Sequence, residues 1–421
     1  MTLMRIIAPL NNQDFNNQID MEAIDWKNQV ESLVATTNLP VFSPIAEEFI
    51  QAFSAAILKD QSLKKYPEVI SLGYWLRKSN IQKIKQAFSD KNKHSLVVSR
   101  GVALVYAPAN IDTIFVYTWV ISLLAGNATI IRVSNRQSEQ FKILINSINL
   151  LLSSSIYNEI RKRILIIHYP HDQLITEWLS QRCHIRVIWG GDNTIQMIRQ
   201  SMLAPIATEM VFPDRTACSM ICATAIKDLK ENEMIRLAEK FFNDTLFFHQ
   251  KACSSPKLVV WVGTDEDIYI AKNRFWQYFQ QIIKKKEYAL ASANHMERLT
   301  LGFYYATLKQ VKEISNHDFE LPLRILVGKL DSPLREANRG TGLFLEYHTE
   351  HISELSSLLQ DKDQTITYFG FTKAQLGEFA QSLSGRKVDR IVPIGQALDF
   401  SSIWDGYDML SYFTREIQLN V

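Results

Sequence analysis

The chain has few cysteines, and they follow no pattern that would organise a fold. Only four occur in 421 residues: Cys183, Cys218, Cys222 and Cys253. The step from Cys218 to Cys222 is neither a CxxC redox motif nor a zinc-ligand spacing. A disulfide framework is therefore not expected, no metal site is predicted, and the expected location is the reducing cytoplasm.

Excess charge is also lacking, because 46 Lys and Arg against 44 Asp and Glu leave a net charge of +2. This balance argues against nucleic acid or an acidic membrane as the main partner. Residues 1–7 are too short an apolar run for a signal peptide. Residues 113–131 carry no charge, but Gly126-Asn127 is a helix-end and turn signal. We expect a buried helix and then a strand there, with no transmembrane segment.

Low-complexity tracts, internal repeats and long linkers are absent, so tightly packed domains are expected. Residues 1–94 show mainly helical periodicity beyond one strand-like piece. From residue 95 onward, short apolar strands alternate with helical segments, which is typical of βαβ units in a parallel sheet. The predicted class is α/β with a helical N-terminal region.

Cys253 lies where an amphipathic helical pattern meets an apolar strand pattern. Ser254, Ser255 and Pro256 follow it, and a helix cannot continue through that proline. A thiol fixed at an accessible turn suits nucleophilic chemistry on a thioester. The same pattern also fits a small buried side chain at a turn. His249, four residues earlier, could polarise the thiol or could simply favour the helix end.

Other candidates are equally open on spacing alone. Asn110 follows a strand and precedes a helix, which suits an oxyanion donor or a helix cap. Gly190 and Gly191 join a strand to a helix and could admit a phosphate, although the motif is not GxGxxG. Arg132 ends a strand and could meet a nucleotide or solvent. His348 and His351 would need a third ligand to form a metal site.

Two longer motifs resemble the aldehyde dehydrogenase superfamily. Residues 101–110 read GVALVYAPAN, and residues 125–134 read AGNATIIRVS. In that superfamily a Pro-x-Asn turn supplies the oxyanion donor, and an AGN-T strand followed by Lys-Pro-Ser reaches the adenosine ribose. Residues 189–191, WGG, are similar to its Gly-Ser turn beside the pyrophosphate.

Within the superfamily, the chain most resembles the LuxC-like acyl-CoA reductases, the fatty acid reductases of bacterial bioluminescence and their relatives. Residues 250–256, QKACSSP, are similar to their nucleophile segment. Residues 388–395, VDRIVPIG, and 404–408, WDGYD, are similar to their C-terminal signature. The resemblance runs from about residue 95 to the end.

The resemblance implies an aldehyde dehydrogenase-like fold in four parts. A helical region, residues 1–94, would pack on an NAD(P)-binding domain of Rossmann type, residues 95–215. An α/β catalytic domain, residues 216–395, would follow, and residues 396–421 would hold an oligomerisation strand. The site would form between the cofactor and catalytic domains.

It also implies roles for eight residues. Cys253 would be the nucleophile and Asn110 an oxyanion donor. The remaining six would contact the cofactor: Ala107, Pro108, Arg132, Ser134, Gly190 and Gly191.

The sequence departs from the superfamily pattern at three of the compared positions. Arg132 replaces the usual lysine, and its planar guanidinium favours NADPH, with NADH as the alternative. Gly191 removes a hydroxyl from the Gly-Ser turn. The Glu-Leu-Gly-Gly-Lys segment that carries the water-activating base reads Glu209-Met-Val-Phe here, which disfavours hydrolysis of an enzyme thioester.

The expected activity is therefore NADPH-dependent reduction of a fatty acyl-CoA or acyl-carrier thioester to the aldehyde, through an acyl-cysteine. The alternatives are an NAD(P)-dependent aldehyde-oxidising dehydrogenase and a non-catalytic scaffold subunit of an acyl-transfer complex. A homo-oligomer and an acyl-transferring protein partner are also expected.

Overall fold

The protein folds into two compact units in the computed structural model, which describes residues 4–9, 26–134, 138–315 and 321–420. One unit combines Met1–Pro213 with Phe400–Val421, and the other is Asp214–Asp399. The helices before residue 95 belong to the same unit as the first sheet. The parts of the predicted N-terminal region in residues 1–3 and 10–25 lie outside the described residues.

Strands and helices alternate in the first unit from residue 95, as the apolar runs predict. Its strands up to Pro213 are β1 Arg5–Ala8, β2 Leu96–Ser99, β3 Val102–Tyr106, β4 Ala128–Arg132, β5 Ile164–His168, β6 Ile185–Trp189 and β7 Thr208–Phe212. Its helices are α1 Trp26–Val34, α2 Pro44–Lys59, α3 Pro67–Trp75, α4 Lys78–Lys91, α5 Ile114–Leu124, α6 Glu139–Leu152, α7 Asn158–Arg161, α8 Gln173–Ser180 and α9 Asp192–Arg199.

Six of these strands form one sheet in the order β1-β5-β4-β3-β6-β7. Only the β1–β5 pair is antiparallel among the described strands of this sheet. Every residue of β3, β5 and β6 is buried, which explains why these strands are mainly apolar. The parallel pairing places the carboxyl ends of β3, β4, β5 and β6 at one edge of the sheet.

The uncharged run of residues 113–131 forms a buried helix and a strand. Nearly all of α5 is buried against its neighbours. The Phe49 ring of α2 meets the Trp119 ring of α5 edge-on, with centroids 5.5 Å apart. No helix within the described ranges has the length and apolarity needed to cross a membrane.

The second unit repeats the alternation. Its strands are β8 Thr216–Cys222, β9 Pro256–Val262, β10 Val311–Ser315, β11 Leu323–Val327, β12 Leu343–Thr349, β13 Asp363–Phe369 and β14 Arg390–Pro393. Its helices are α10 Ala223–Lys227, α11 Glu231–Thr245, α12 Asp265–Lys285, α13 Ser292–Ala306, α14 Ser332–Ala337, α15 Leu355–Leu358 and α16 Lys373–Ser382.

These seven strands form a sheet in the order β10-β11-β12-β9-β8-β13-β14. Alternate residues of the central strand β9 enter different cores. Val259 and Trp261 pack on the face that α11 and α12 cover, whereas Leu258 and Val260 pack on the other face. The sheet is therefore covered on both faces, as parallel sheets usually are.

The C-terminal residues return to the first unit. They form β15 Ile403–Trp404, β16 Tyr407–Asp408, α17 Met409–Phe413 and β17 Thr414–Ile417. The predicted tail strand β17 pairs antiparallel with β2 of the same chain. The buried Asn127 amide fixes this return, since its Oδ1 accepts from Gly101 N at 2.7 Å and its Nδ2 donates to Phe413 O at 2.8 Å.

Gly126 should be the least replaceable residue of the turn between α5 and β4. Its φ is +86°, and an added Cβ would lie 2.1 Å from the Leu39 carbonyl oxygen. We expect Gly126→Ala to destabilise the fold by about 3 kcal/mol or more, because neither backbone segment can move freely. Thermal unfolding of the purified variant measures this.

Gly377 provides the matched control. It lies inside α16, and an added Cβ would meet no atom within 4 Å. Gly377→Ala should stabilise the helix by about 0.5–1 kcal/mol. Equal melting temperatures for the two variants would contradict the assigned geometry of the Gly126 turn.

Candidate active site

Cys253 lies on a short turn between two rigid elements of the second unit. Helix α11 ends at Thr245, a 3₁₀ turn covers Leu246–Phe248, and β9 begins at Pro256. Ser254 and Ser255 are buried, whereas Cys253 keeps partial exposure. The turn predicted from sequence is therefore present, with the thiol side chain as its partly accessible member.

Two of the other three thiols are less suited to nucleophilic chemistry. Burial raises the pKa of Cys183 to about 12 and raises the pKa of Cys218 still further. Cys222 is partly exposed, and its Sγ lies 3.2 Å from Thr224 Oγ1. Because the thiolate is the reactive form, Cys183 and Cys218 are expected to be inert.

Lysines lie on both sides of Cys253 in the chain, with Lys251 before it and Lys257 after it. Burial lowers the pKa of Lys257, and the Arg339 charge acts in the same direction, whereas Asp214 and Cys253 raise that pKa. Burial, and then the Lys251 charge, lowers the pKa of His249. The effect of Cys253 on the pKa of Lys257 indicates that these two groups interact electrostatically.

A cavity of about 220 Å³ opens at the carboxyl edge of the first sheet. Its walls include Tyr106 at the end of β3, Ala107 directly after it, Arg132 at the end of β4, Trp189 at the end of β6 and Thr194 in α9. Ligands bind at this edge in open α/β sheets, because the strand ends and helix N-termini converge there. A cation and several hydrogen-bonding groups suit a nucleotide cofactor.

The Arg132 side chain is held against one wall of this cavity. Its Nη2 donates to the Tyr169 carbonyl oxygen at 3.0 Å, and its guanidinium lies 5.5 Å from the centre of the Tyr169 ring. Burial lowers the pKa of Arg132. Arg132 thus reaches the cavity in a fixed orientation, which a surface arginine would not have.

The remaining predicted cofactor residues flank the cavity rather than line it. Gly190 donates its N–H to the Phe212 carbonyl at 3.2 Å, and Gly191 is the N-cap of α9. Pro108 directly follows Ala107, Ser134 lies two residues after Arg132, and both are partly exposed. Their roles as cofactor contacts stay predictions.

Asn110 is exposed in the bend after β3, within the first unit. It does not cap the following helix, because the N-cap of α5 is Thr113. The cap interpretation of Asn110 is therefore wrong, and its amide is available for another purpose.

Glu209 occupies β7 and forms ion pairs in the first unit. Its Oε2 accepts from Arg186 Nη2 at 2.6 Å, and its Oε1 accepts from Arg199 Nε at 2.7 Å. Arg186 is buried and also donates to Ser201 O at 2.8 Å. This carboxylate holds two cations, which is a poor arrangement for a base that must take a proton from water.

His348 lies in β12, where burial lowers its pKa, and His351 follows that strand. No group of three or more His, Cys, Asp or Glu residues that could hold a metal ion occurs in the described part of the chain.

A family model for LuxC, described as acyl-CoA reductase, matches residues 76–416. This chain belongs to the LuxC acyl-CoA reductase family. The resemblance seen in its motifs is thereby confirmed, and membership supports an oxidoreductase acting on acyl-CoA or aldehydes. No curated protein matches the chain.

Solved aldehyde dehydrogenases share the fold of this LuxC-family chain. Substrate-bound AldH of Staphylococcus aureus has a TM-score of 0.63 at 12% identity, covering 93% of each chain. Succinic semialdehyde dehydrogenase of Streptococcus pyogenes, solved with NADP⁺, has 0.63 at 13% identity, covering 94% of each. A 1-pyrroline-5-carboxylate dehydrogenase from Thermus, solved with NAD, has 0.62 at 11% identity, covering 93% of this chain and 83% of its own. The predicted aldehyde dehydrogenase-like α/β fold is confirmed.

The sequence of this LuxC-family chain did not reveal which residues hold the turn at residues 394–399, after β14. We call this segment the signature turn. The buried Asp244 of α11 accepts the N–H groups of Gly395 at 2.6 Å and Ala397 at 2.9 Å. Arg390 donates to the carbonyls of Ala397 and Asp399, each at 3.1 Å. The one sequence feature that could have indicated this contact is an acidic residue, Asp244, on the apolar face of α11, seven positions after Leu237.

We expect Glu209→Ala to destabilise the first unit by about 3 kcal/mol, because it leaves the buried Arg186 cation without a carboxylate. A lower midpoint of thermal unfolding would show it. Arg199→Ala is the matched control, since Arg199 is half exposed and its ion pair should contribute at most about 1 kcal/mol. If both variants melt at the same temperature, Glu209 is not a structural counter-ion.

Proposed function

We propose that the protein reduces a fatty acyl thioester, carried by CoA or an acyl carrier, to the aldehyde through an acyl-cysteine at Cys253. The observation that carries this proposal is the Cys253 turn itself. It presents a partly accessible thiol between two rigid elements, with Lys257 close enough to interact with it electrostatically. Family membership supports the choice of an acyl thioester as substrate.

The proposed chemistry begins when the Cys253 thiolate attacks the thioester carbonyl carbon. A new carbon–sulfur bond forms, the bond to the carrier sulfur breaks, and the carrier leaves as a thiol after taking a proton. The Cys253 N–H and the Asn110 amide are the proposed oxyanion donors, and one such donor is worth about 3 kcal/mol. Reduction of the acyl-enzyme gives a thiohemiacetal, which releases the aldehyde and restores the thiol.

NADPH is the proposed reductant, and its chemistry when bound is to supply a hydride. The residues around the first-unit cavity fit a dinucleotide. Arg132 provides a fixed guanidinium, the N-terminus of α9 adjoins the wall at Thr194, and Ala107 leaves room beside β3. Pro108, Ser134, Gly190 and Gly191 are proposed to contribute backbone or hydroxyl contacts next to that wall.

Aldehyde oxidation is less well supported. It requires a base that activates water to hydrolyse the acyl-enzyme, and Glu209, the candidate for that base, is ion-paired to Arg186 and Arg199. Measuring NADPH oxidation in the presence of an acyl-CoA distinguishes the reductase from a scaffold subunit, because a scaffold would not oxidise NADPH.

We also propose a homo-oligomer, and an acyl-transferring protein as the supplier of substrate. The β2–β17 pair forms a two-stranded sheet, so each strand has one edge that no other described strand covers. Such edges readily add a strand from another chain. Gel filtration with light scattering tests the oligomer directly.

Cys253 should become acylated when the protein meets a long-chain acyl-CoA in the absence of NADPH. Intact-mass analysis should show one added acyl group, and addition of NADPH should remove it. Cys253→Ala should form no adduct. Cys222→Ala is the matched control, since Cys222 is also partly exposed, and it should acylate like the wild type. An adduct on Cys253→Ala would overturn the assignment of the nucleophile.

Arg132 should select NADPH over NADH. Arg132→Ala removes a charge-assisted contact to the 2′-phosphate, so the Kd for NADPH should rise about 10- to 100-fold while that for NADH changes little. Isothermal titration calorimetry measures both. Arg182→Ala removes another arginine of the same unit, which pairs with Glu31 at 2.7 Å, and should change neither Kd. An unchanged NADPH affinity in Arg132→Ala would exclude this role.

A further inference from the structure

The backbone just before Cys253 is strained. His249 and Gln250 both adopt left-handed conformations, with φ of 53° and 56°. Neither is glycine, and such conformations typically cost about 1 kcal/mol or more per residue. Two of them in succession persist only where the surroundings fix them. The contacts of these two residues therefore hold the backbone that leads into Cys253.

The Gln250 side chain makes those contacts. It is fully buried, and its Oε1 accepts from the Gly342 N–H at 2.6 Å. Its Nε2 donates to the Pro256 carbonyl at 3.0 Å. The Gln250 amide thus links the start of the Cys253 turn to Pro256, the first residue of β9. It also links the turn to Gly342, which directly precedes β12.

A second strained segment faces the first. In residues 340–342, Gly340, Thr341 and Gly342 have φ of 86°, 59° and 84°. The Thr341 N–H donates to the His249 carbonyl at 3.1 Å. A Cβ on Gly340 would lie 2.7 Å from Gln250 Cβ, so glycine is required for this approach. Each strained segment is held by hydrogen bonds from the other.

Two further contacts complete the arrangement. The buried Asn338 donates from Nδ2 to the Lys257 carbonyl at 3.2 Å and accepts the Gly340 N–H at 2.8 Å. The His249 ring bonds to Tyr288, which follows α12, with its Nδ1 2.5 Å from the Tyr288 hydroxyl oxygen. Hydrogen bonds therefore hold the chain both at residues 249–250, before Cys253, and at residues 256–257, after it.

We propose that Gln250 is a positioning residue for the Cys253 nucleophile, and that residues 338–342 act through it. The proposal rests on the function proposed above and adds a residue to it. Gln250 touches neither substrate nor cofactor in this role. Its amide fixes the direction of the thiol and of the Cys253 N–H, so its loss should slow attack on the thioester without weakening substrate binding.

The test uses Gln250→Met in the full-length protein, which keeps the length of the side chain and removes all its hydrogen bonds. We expect the rate of Cys253 alkylation by iodoacetamide, followed by peptide mass spectrometry, to fall about tenfold or more across pH 6–9. Alkylation of Cys222 in the same sample should be unchanged. The kcat for NADPH oxidation with acyl-CoA should fall to the same extent, with KM within about twofold.

Asn127→Ala is the control that distinguishes a positioning effect from a general loss of stability, because it removes a comparable buried amide from the first unit. It should lower the melting temperature and leave the alkylation rate of Cys253 unchanged. If Gln250→Met does not fold, Gln250→Asn and Gly340→Ala perturb the same contact from its two sides and should slow the same alkylation.

The outcomes are distinct. A folded Gln250→Met protein that alkylates and turns over at wild-type rates overturns the positioning role. Equal slowing of Cys253 and Cys222, or slowing of Cys253 in Asn127→Ala, also overturns it, because the effect would then be general. Failure of the wild type to form an acyl adduct would sink the proposed function instead, and the alkylation result would still decide the role of Gln250.

Discussion

Two non-glycine residues in the left-handed region stand immediately before the Cys253 turn, and one buried amide joins their segment to β9 and β12. The rest of the second unit depends on this constraint in a direct way. Strands β9 and β12 are neighbours in a parallel sheet, so their starting residues lie side by side. The Gln250 side chain fits between them because Gly340 has no Cβ. The pairing of β9 with β12 therefore also fixes the position of Gln250 and of the turn that carries Cys253.

In the first unit, polar groups gather at one edge of a sheet whose strands are mainly apolar. Its cationic group is Arg132, the last residue of β4 and half-buried, with its orientation set by the Tyr169 carbonyl and ring. The strand buries its apolar residues and leaves only its final side chain at the cavity. This is the usual advantage of parallel α/β sheets, in which the interior provides rigidity and the strand ends provide chemistry.

Two acidic residues outside the Cys253 turn and the first-unit cavity stabilise the fold through buried contacts. Glu209 holds Arg186 and Arg199, and Asp244 holds the backbone of the signature turn at Gly395 and Ala397. Burial raises the pKa of Asp244 to about 7, which marks how strongly the interior opposes its charge. A buried acid is retained in such a place because unpaired backbone N–H groups would cost more.

The sequence by itself determined the α/β class, the turn at Cys253, the strand–helix pairs and the family, because these depend on local periodicity and on short motifs. Apolar runs fix which segments are strands, and the Pro256 that follows the Cys253 turn excludes a helix running through it. Only the tertiary structure decided that Gln250 meets Gly342, that Glu209 meets Arg186, and that Thr113 rather than Asn110 occupies the N-cap position of α5. Those contacts join residues far apart in the chain or select among adjacent polar ones, and no local pattern records which distant backbone group a buried side chain will reach.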